Sequence, residues 1–188
     1  LWGTNAFGYH LTNALIHLIN IQLVYQLSLR LFKRADISFL CSILFLFHPI
    51  LANSVYWVSG RTDMLACSFY LLSLIMTDKY LKDLDIRYFI FSQITFLAAL
   101  FSKEISITLP LAQVWMILYY SRNLKQEIDI KAMLTRVIIY NTLVVALFLS
   151  YRLFIFGHNP FTIDDIYNIG GFYHLFINSI KIASFLTV

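Results

Sequence analysis

The chain has 188 residues, of which 60% are hydrophobic and only 13% charged, and its mean hydropathy is +0.73. Soluble domains carry about 25% charged residues, so this composition excludes an ordinary water-soluble domain. The formal charge of +4 could suit nucleic acid, but in a membrane protein the placement of Lys and Arg matters more than their sum, and no nucleic-acid partner is expected.

A membrane-crossing helix needs roughly 20 apolar residues. In chain order, apolar runs cover about 7–31, 37–55, 64–77, 86–101, 105–120 and 133–156, and a seventh begins near Phe172. The stretch 86–120 is too long for one helix at about 1.5 Å per residue, and its one charged interruption, Ser102-Lys103-Glu104, predicts a tight hairpin. The runs are continuous rather than alternating in polarity, which argues against a β-barrel. The predicted fold class is therefore all-α, a polytopic transmembrane helical bundle of about six spans plus the start of a seventh. Residues 1–188 read as one partial transmembrane domain with no separate soluble domain. The first residue is Leu1 and the last run, 182–188, is apolar without a polar flank, so the chain reads as a fragment truncated at both ends. Cys41 and Cys67 lie in apolar runs without metal-ligand spacing, and neither a metal nor a bound cofactor is expected.

Alternate connections carry Arg30, Lys33 and Arg34, then Lys79, Lys82 and Arg87, then Arg122, Lys125, Lys131 and Arg136; the intervening ones carry Arg61, Lys103 and Arg152. The positive-inside rule makes the first set cytoplasmic and the second external. On this assignment His10, Asn13, His48, Asn53, Arg61, Asp63, Lys103, Glu104, Arg152, His158, Asp164 and Asp165 gather at the external face. The sides are assigned from Lys and Arg alone, so the convergence of the His, Asn and acidic residues on this side is independent of the assignment and points to an external binding or catalytic face.

The segment 48–63 is a polar island between two apolar runs. Pro49 lacks a backbone N–H and kinks or ends the helix beside His48. Gly60 permits a tight turn before Arg61, and Tyr56 and Trp57 suit the headgroup zone of a short interfacial helix. Two readings of Arg61 and Asp63 stand: a local ion pair in an aromatic anchor, or an anion site in which Asp63 orients the guanidinium fork toward a phosphate. Lys103 and Glu104 are either a solvated turn or a second phosphate contact. On the first run, His10, Asn13 and His17 share one helical stripe and either wall a cavity or bond to neighbouring helices, the latter reading being preferred for His17. Arg152, with 157–160 and the pair Asp164-Asp165, forms a third external group, read mainly as a solvated loop.

Phe7-Gly8-Tyr9-His10-Leu11-Thr12-Asn13, then His48-Pro49 through Gly60-Arg61-Thr62-Asp63-Met64-Leu65-Ala66, then Ser102-Lys103-Glu104 through Leu109-Pro110 resemble the multispanning GT-C glycosyltransferases. The likeness is to the transmembrane O-mannosyltransferases with tetratricopeptide repeats and to their bacterial relatives, and it covers about 7–168. The resemblance implies a membrane glycosyltransferase that moves a sugar, mannose among the candidates, from a polyprenyl-phosphate donor to a hydroxyl of a protein or glycan acceptor on the external or lumenal face. It implies donor-phosphate binding by Arg61, Lys103 and His48, and a cavity lined by His10, Asn13 and Arg152. The family's acidic motif, which supplies the catalytic base, is expected upstream of Leu1. Asp63 and Glu104 are the remaining candidates and are expected instead to orient Arg61 and Lys103, so the fragment alone is expected to be inactive. Trp57 before Val58-Ser59-Gly60-Arg61 is closer to the bacterial relatives, favouring a bacterial inner membrane over the endoplasmic reticulum. A polytopic transporter or lipid flippase is the alternative; it would place ionisable residues at mid-depth in several helices.

Overall fold

The computed structural model describes residues 6–57, 60–123 and 130–156. The run near Phe172 and the group 157–165 lie outside them. The chain divides between Ala146 and Leu147 into two units, and of the second only 147–156 is described.

Every regular element among the described residues is helical: α1 (Ala6–Phe32), α2 (Ala35–Leu46), α3 (Pro49–Tyr56), α4 (Arg61–Asp83), α5 (Ile86–Ser102), a 3₁₀ turn (Glu104–Thr108), α6 (Leu109–Asn123) and α7 (Ile130–Phe156). The stretches Phe7–Phe32, Arg61–Asp83 and Ile130–Phe154 are long and apolar enough to cross a membrane, while Ala35–Leu46 and Ile86–Ser102 are shorter apolar helices. The all-α membrane architecture expected from composition is thus present, with different bounds. The run 37–55 is not one helix. It breaks after Leu46, leaving α2 with 12 residues, a rise of about 18 Å. Pro49 opens α3 at its first position, where a missing N–H costs nothing. The run 64–77 extends at both ends, because Asp63 in the first turn and Lys82 in the last suit the helix dipole. The expected tight hairpin at Lys103 is looser: Lys103 is extended (φ −158°, ψ 133°) and leads into the 3₁₀ turn.

Helix ends are closed by local bonds. Asp85 accepts the Arg87 N–H at 2.9 Å as the N-cap of α5. Lys33 and Leu84 take left-handed backbone conformations after α1 and α4, and their N–H groups bond Leu29 O and Tyr80 O at 3.0 and 2.9 Å.

Polar rungs set how the helices pair. Asn20 of α1 donates to Met64 O at 2.9 Å and accepts from Ser68 Oγ at 2.6 Å; ten residues further along, Arg30 meets Asp78 at 3.2 Å. Ascending numbers on α1 meet ascending numbers on α4, so the two run in the same direction. The α4–α5 pair is antiparallel: Ser73 and Thr77 bond Ser92, and Tyr80 packs on Phe89. From α6, Gln113 Nε2 reaches Ser73, Thr77 and Ser92 at 3.2, 3.1 and 3.0 Å, and its Oε1 accepts from Asn141 of α7 at 2.7 Å. Below this network Tyr80, Leu81, Phe89, Met116, Ile117, Tyr120, Met133 and Val137 form an apolar core.

These pairings sort the charges. Arg30, Asp78 and Lys82 share one end of the helices, with the Tyr120 hydroxyl donating to Asp78 and Arg136 donating to the Tyr80 hydroxyl. Arg61, Asp63 and Lys103 lie at the opposite end. The two sets of connections distinguished by Lys and Arg count therefore correspond to two physical ends wherever their contacts are described.

Asp78 has no exposed side-chain surface, whereas Arg30 and Lys82 keep 33% and 30% of theirs. Asp78→Leu leaves both cations without their carboxylate, but they can turn to water. The loss should fall at the low end of the roughly 3–5 kcal/mol typical of broken buried pairs, read as a lower melting temperature of the detergent-solubilised protein.

Candidate functional site

The turn between α3 and α4 places the site. Trp57 O accepts the Gly60 N–H at 2.9 Å, and α4 begins at the next residue. Gly60 has φ −68°, which any residue can adopt, so the glycine is not there for a left-handed turn. It is there for space: a Cβ on Gly60 would lie 2.7 Å from Ser54 Cα and 2.8 Å from Ser54 C, and closer still to Ser54 O. The backbone of α3 thus packs directly on the start of α4.

Arg61 and Asp63 are the first and third residues of α4, and side chains two apart on a helix do not face each other. Asp63 does not pair with Arg61 in the way the sequence suggested. It forms an ion pair with Lys103, brought from the end of α5, and so orients Lys103 rather than Arg61. Arg61 turns toward α1 and lies over the Tyr9 ring, with Cζ 5.4 Å from the centroid. Its Nε and Nη2 are buried and have no hydrogen-bond partner among the described residues. A guanidinium with two buried spare donors, stacked on an aromatic face, is suited to bind an anion.

The α1 stripe resolves differently for each member. Asn13 is fully buried, and its Nδ2 donates to Trp57 O at 3.0 Å and Val55 O at 3.3 Å. It therefore ties α1 to the segment before α4 through its Nδ2 donor, as the interhelical reading has it. His17 stacks on Phe45 of α2, with centroids 5.7 Å apart, in keeping with the interhelical reading. His10 is exposed, as is His48, whose N–H bonds Phe45 O at 3.3 Å at the α2–α3 break. Glu104 is exposed at the start of the 3₁₀ turn. Arg152 lies on the last turns of α7, in the second unit. The side chain of Asn53, and residues His158, Asp164 and Asp165, lie outside the described set. No group of three or more His, Cys, Asp or Glu that could hold a metal occurs among the described residues.

Two contributors escaped the sequence reading. Tyr9 belongs to the first motif but was not singled out; its place one turn before Asn13 on the same face was the available signal. Asn20, one further repeat along that face, anchors the first turn of α4. Gly60→Ala tests the close approach at the turn: it must push α3 from α4 and should cost about 1–3 kcal/mol by overpacking, measured as a fall in the thermal midpoint of the solubilised protein.

Residues 1–151 match the family model described as dolichyl-phosphate-mannose-protein mannosyltransferase. Among individual relatives, the chain is 34% identical over 86 residues to the protein O-mannosyl-transferase TMTC1 of Mus musculus, covering 45% of this chain and 9% of that protein. The Homo sapiens TMTC1 gives 35% over 86 residues with the same coverage. The protein O-mannosyl-transferase F38B6.6 of Caenorhabditis elegans gives 29% over 112 residues, 58% of this chain and 16% of that protein. The matches thus span only 9–16% of these relatives' lengths, and no solved structure matches the chain. The Arg61 turn, Tyr9 beneath it and the Lys103–Asp63 pair all fall within the matched residues, and a match over this much of its length makes the chain a member of the dolichyl-phosphate-mannose-protein mannosyltransferase family.

Proposed function

We propose that the protein carrying this chain is a GT-C glycosyltransferase that transfers mannose from a polyprenyl-phosphate donor to a hydroxyl of a protein or glycan acceptor at the external or lumenal membrane face. The observation that carries this reading is the guanidinium of Arg61, with Nε and Nη2 buried and without a partner among the described residues. A buried charged donor left unbonded is costly, and a lipid phosphate offers the planar, bidentate acceptor that the fork fits. Lys103 adds a second cation at the same end of the helices, held by Asp63. His48 is the third member of the proposed phosphate-binding set.

Transfer breaks the bond between the sugar's anomeric carbon and the phosphate oxygen, so negative charge grows on the departing phosphate. Arg61 and Lys103 are the groups that stabilise that charge, and no general acid is then needed on the leaving side. The acceptor hydroxyl loses its proton to a carboxylate, and single displacement inverts the anomeric centre. Asp63 is committed to Lys103 and acts in this scheme by positioning it, not as the base. No bound cofactor takes part; the lipid-linked sugar is a co-substrate.

A transporter needs ionisable groups at mid-depth. The deep polar network here consists of Ser73, Thr77, Ser92, Gln113 and Asn141, all neutral and bonded to one another, which favours a transferase. The context of Trp57 favours a bacterial inner membrane, while the relatives named above are animal proteins, for which an endoplasmic reticulum location is the alternative.

The test is transfer of labelled mannose from a polyprenyl-phosphate donor by membranes containing the complete protein. Arg61→Ala should lower kcat/KM by about 10²–10³-fold, and Arg61→Lys should recover only part of it, because an ammonium is a point charge without the fork. Undiminished transfer by Arg61→Ala overturns the assignment.

A further inference from the structure

α1 grips the segment around Arg61 at three points on one face. Tyr9 lies under the guanidinium; Asn13 bonds Val55 O and Trp57 O; Asn20 bonds Met64 O. Trp57 precedes Arg61 by four residues and Met64 follows it by three, so the backbone is anchored on both sides of the cation by carbonyls that accept from the same neighbouring helix. Trp57 O is a shared acceptor, taking the Gly60 N–H and the Asn13 amide together. Trp57 is thus tied both to Gly60, the residue before Arg61, and to α1.

The two asparagines are not equivalent. Asn20 uses both ends of its amide, with Nδ2 on Met64 O and Oδ1 accepting from Ser68 Oγ, as expected of a group that only joins two helices. Asn13 is equally buried, yet its Oδ1 has no hydrogen-bond partner among the described residues. An apolar side chain of similar size would pack α1 against α3 without burying an unbonded acceptor. What an apolar residue cannot do is hold the carbonyls of Val55 and Trp57. Catalytic sites accept such local costs where geometry is the return.

We propose that Asn13 is a positioning residue for Arg61. By fixing Val55 O and Trp57 O it sets where α4 begins, and with Tyr9 beneath the guanidinium it aims the spare Nε and Nη2 donors at the donor phosphate. The inference rests on the reading of Arg61 as the phosphate-binding cation. A displacement of about 1 Å at a group that stabilises the transition state costs about 10²-fold, so an asparagine that never touches the substrate controls turnover through the arginine it places.

A double-mutant cycle on the complete protein in membranes tests this, with labelled polyprenyl-phosphate mannose as donor. The variants are Asn13→Leu, Asn13→Gln, Arg61→Ala and the Asn13 changes combined with Arg61→Ala, with Asn141→Leu as a buried amide control bonded elsewhere. Asn13→Leu should lower kcat/KM by about 10–100-fold, with Asn13→Gln, which keeps the amide donor, losing less. In the Arg61→Ala background the same Asn13 changes should cost no more than about 3-fold, because the group they position is gone. Asn141→Leu should cost the same factor in both backgrounds. A melting temperature for each variant identifies any that fails to fold, and if Asn13→Leu does, Asn13→Gln carries the cycle.

Equal losses from the Asn13 changes with and without Arg61 would overturn the positioning role while leaving the phosphate reading intact. Undiminished transfer by Arg61→Ala alone would remove the phosphate reading and this inference with it. The two failures are distinguished by the single Arg61 variant.

Discussion

The register between α1 and α4 is the constraint on which the rest of the arrangement depends. Both helices are apolar around most of their circumference, and in lipid an apolar surface gives little preference for one rotation or one axial position over another. Asn13, Asn20 and Arg30 supply that preference by reaching acceptors on the neighbouring segment. With no water to satisfy a misplaced amide or carboxylate, a slip of one residue would leave several polar groups unbonded together. Individual interhelical bonds are worth only about 0.6 kcal/mol on average, so three rungs matter less for their sum than for the alternatives they exclude.

The same register creates two chemically different ends. At one, a buried carboxylate is shared by Arg30 and Lys82, with the Tyr120 hydroxyl as a third donor. Its cations have a carboxylate and therefore a structural role. At the other, Asp63 engages Lys103 but not Arg61, and the guanidinium keeps donors in reserve. The contrast between cations bonded to a carboxylate and a guanidinium with unbonded donors is what makes the second end suited to an anionic lipid head. Tyr9 contributes an electron-rich face that holds the charge without consuming its hydrogen-bond donors.

Much of this was legible in the sequence because hydropathy and proline placement act locally. The apolar runs, the break at Pro49 and the polar character of 48–63 follow from residues read in isolation or with near neighbours. The two-ended sorting of Lys and Arg was also legible, since it depends only on the parity of crossings. What could not be read was which side chains face each other. Asp63 chooses Lys103, 40 positions away, over Arg61, two positions away, because helix geometry points neighbours apart. Gly60 carried a correct signal for a special turn but for a different reason, since space rather than backbone freedom is required. The polar stripe that carries Asn13 is legible, but a stripe does not reveal whether water or backbone lies opposite, and here the backbone carbonyls of Val55 and Trp57 do. Asp78 borders its apolar run and looks like a boundary marker, and Gln113 is a lone amide within its run; neither role can be read until the partners on other helices are known.

The neutral network centred on Gln113 also bears on how the chain enters the membrane during synthesis. Ser73, Thr77 and Ser92 lie on α4 and α5, which are joined by two residues, and they bond to one another without help from later segments. That hairpin can leave the insertion machinery with its hydroxyls already paired. The Gln113 amide has no such local partner and finds its acceptors only when α6 reaches the finished hairpin, after which its carbonyl is ready to receive Asn141. For α6 and α7 the order of polar satisfaction follows the order of translation, so Gln113 and then Asn141 each meet partners already in place.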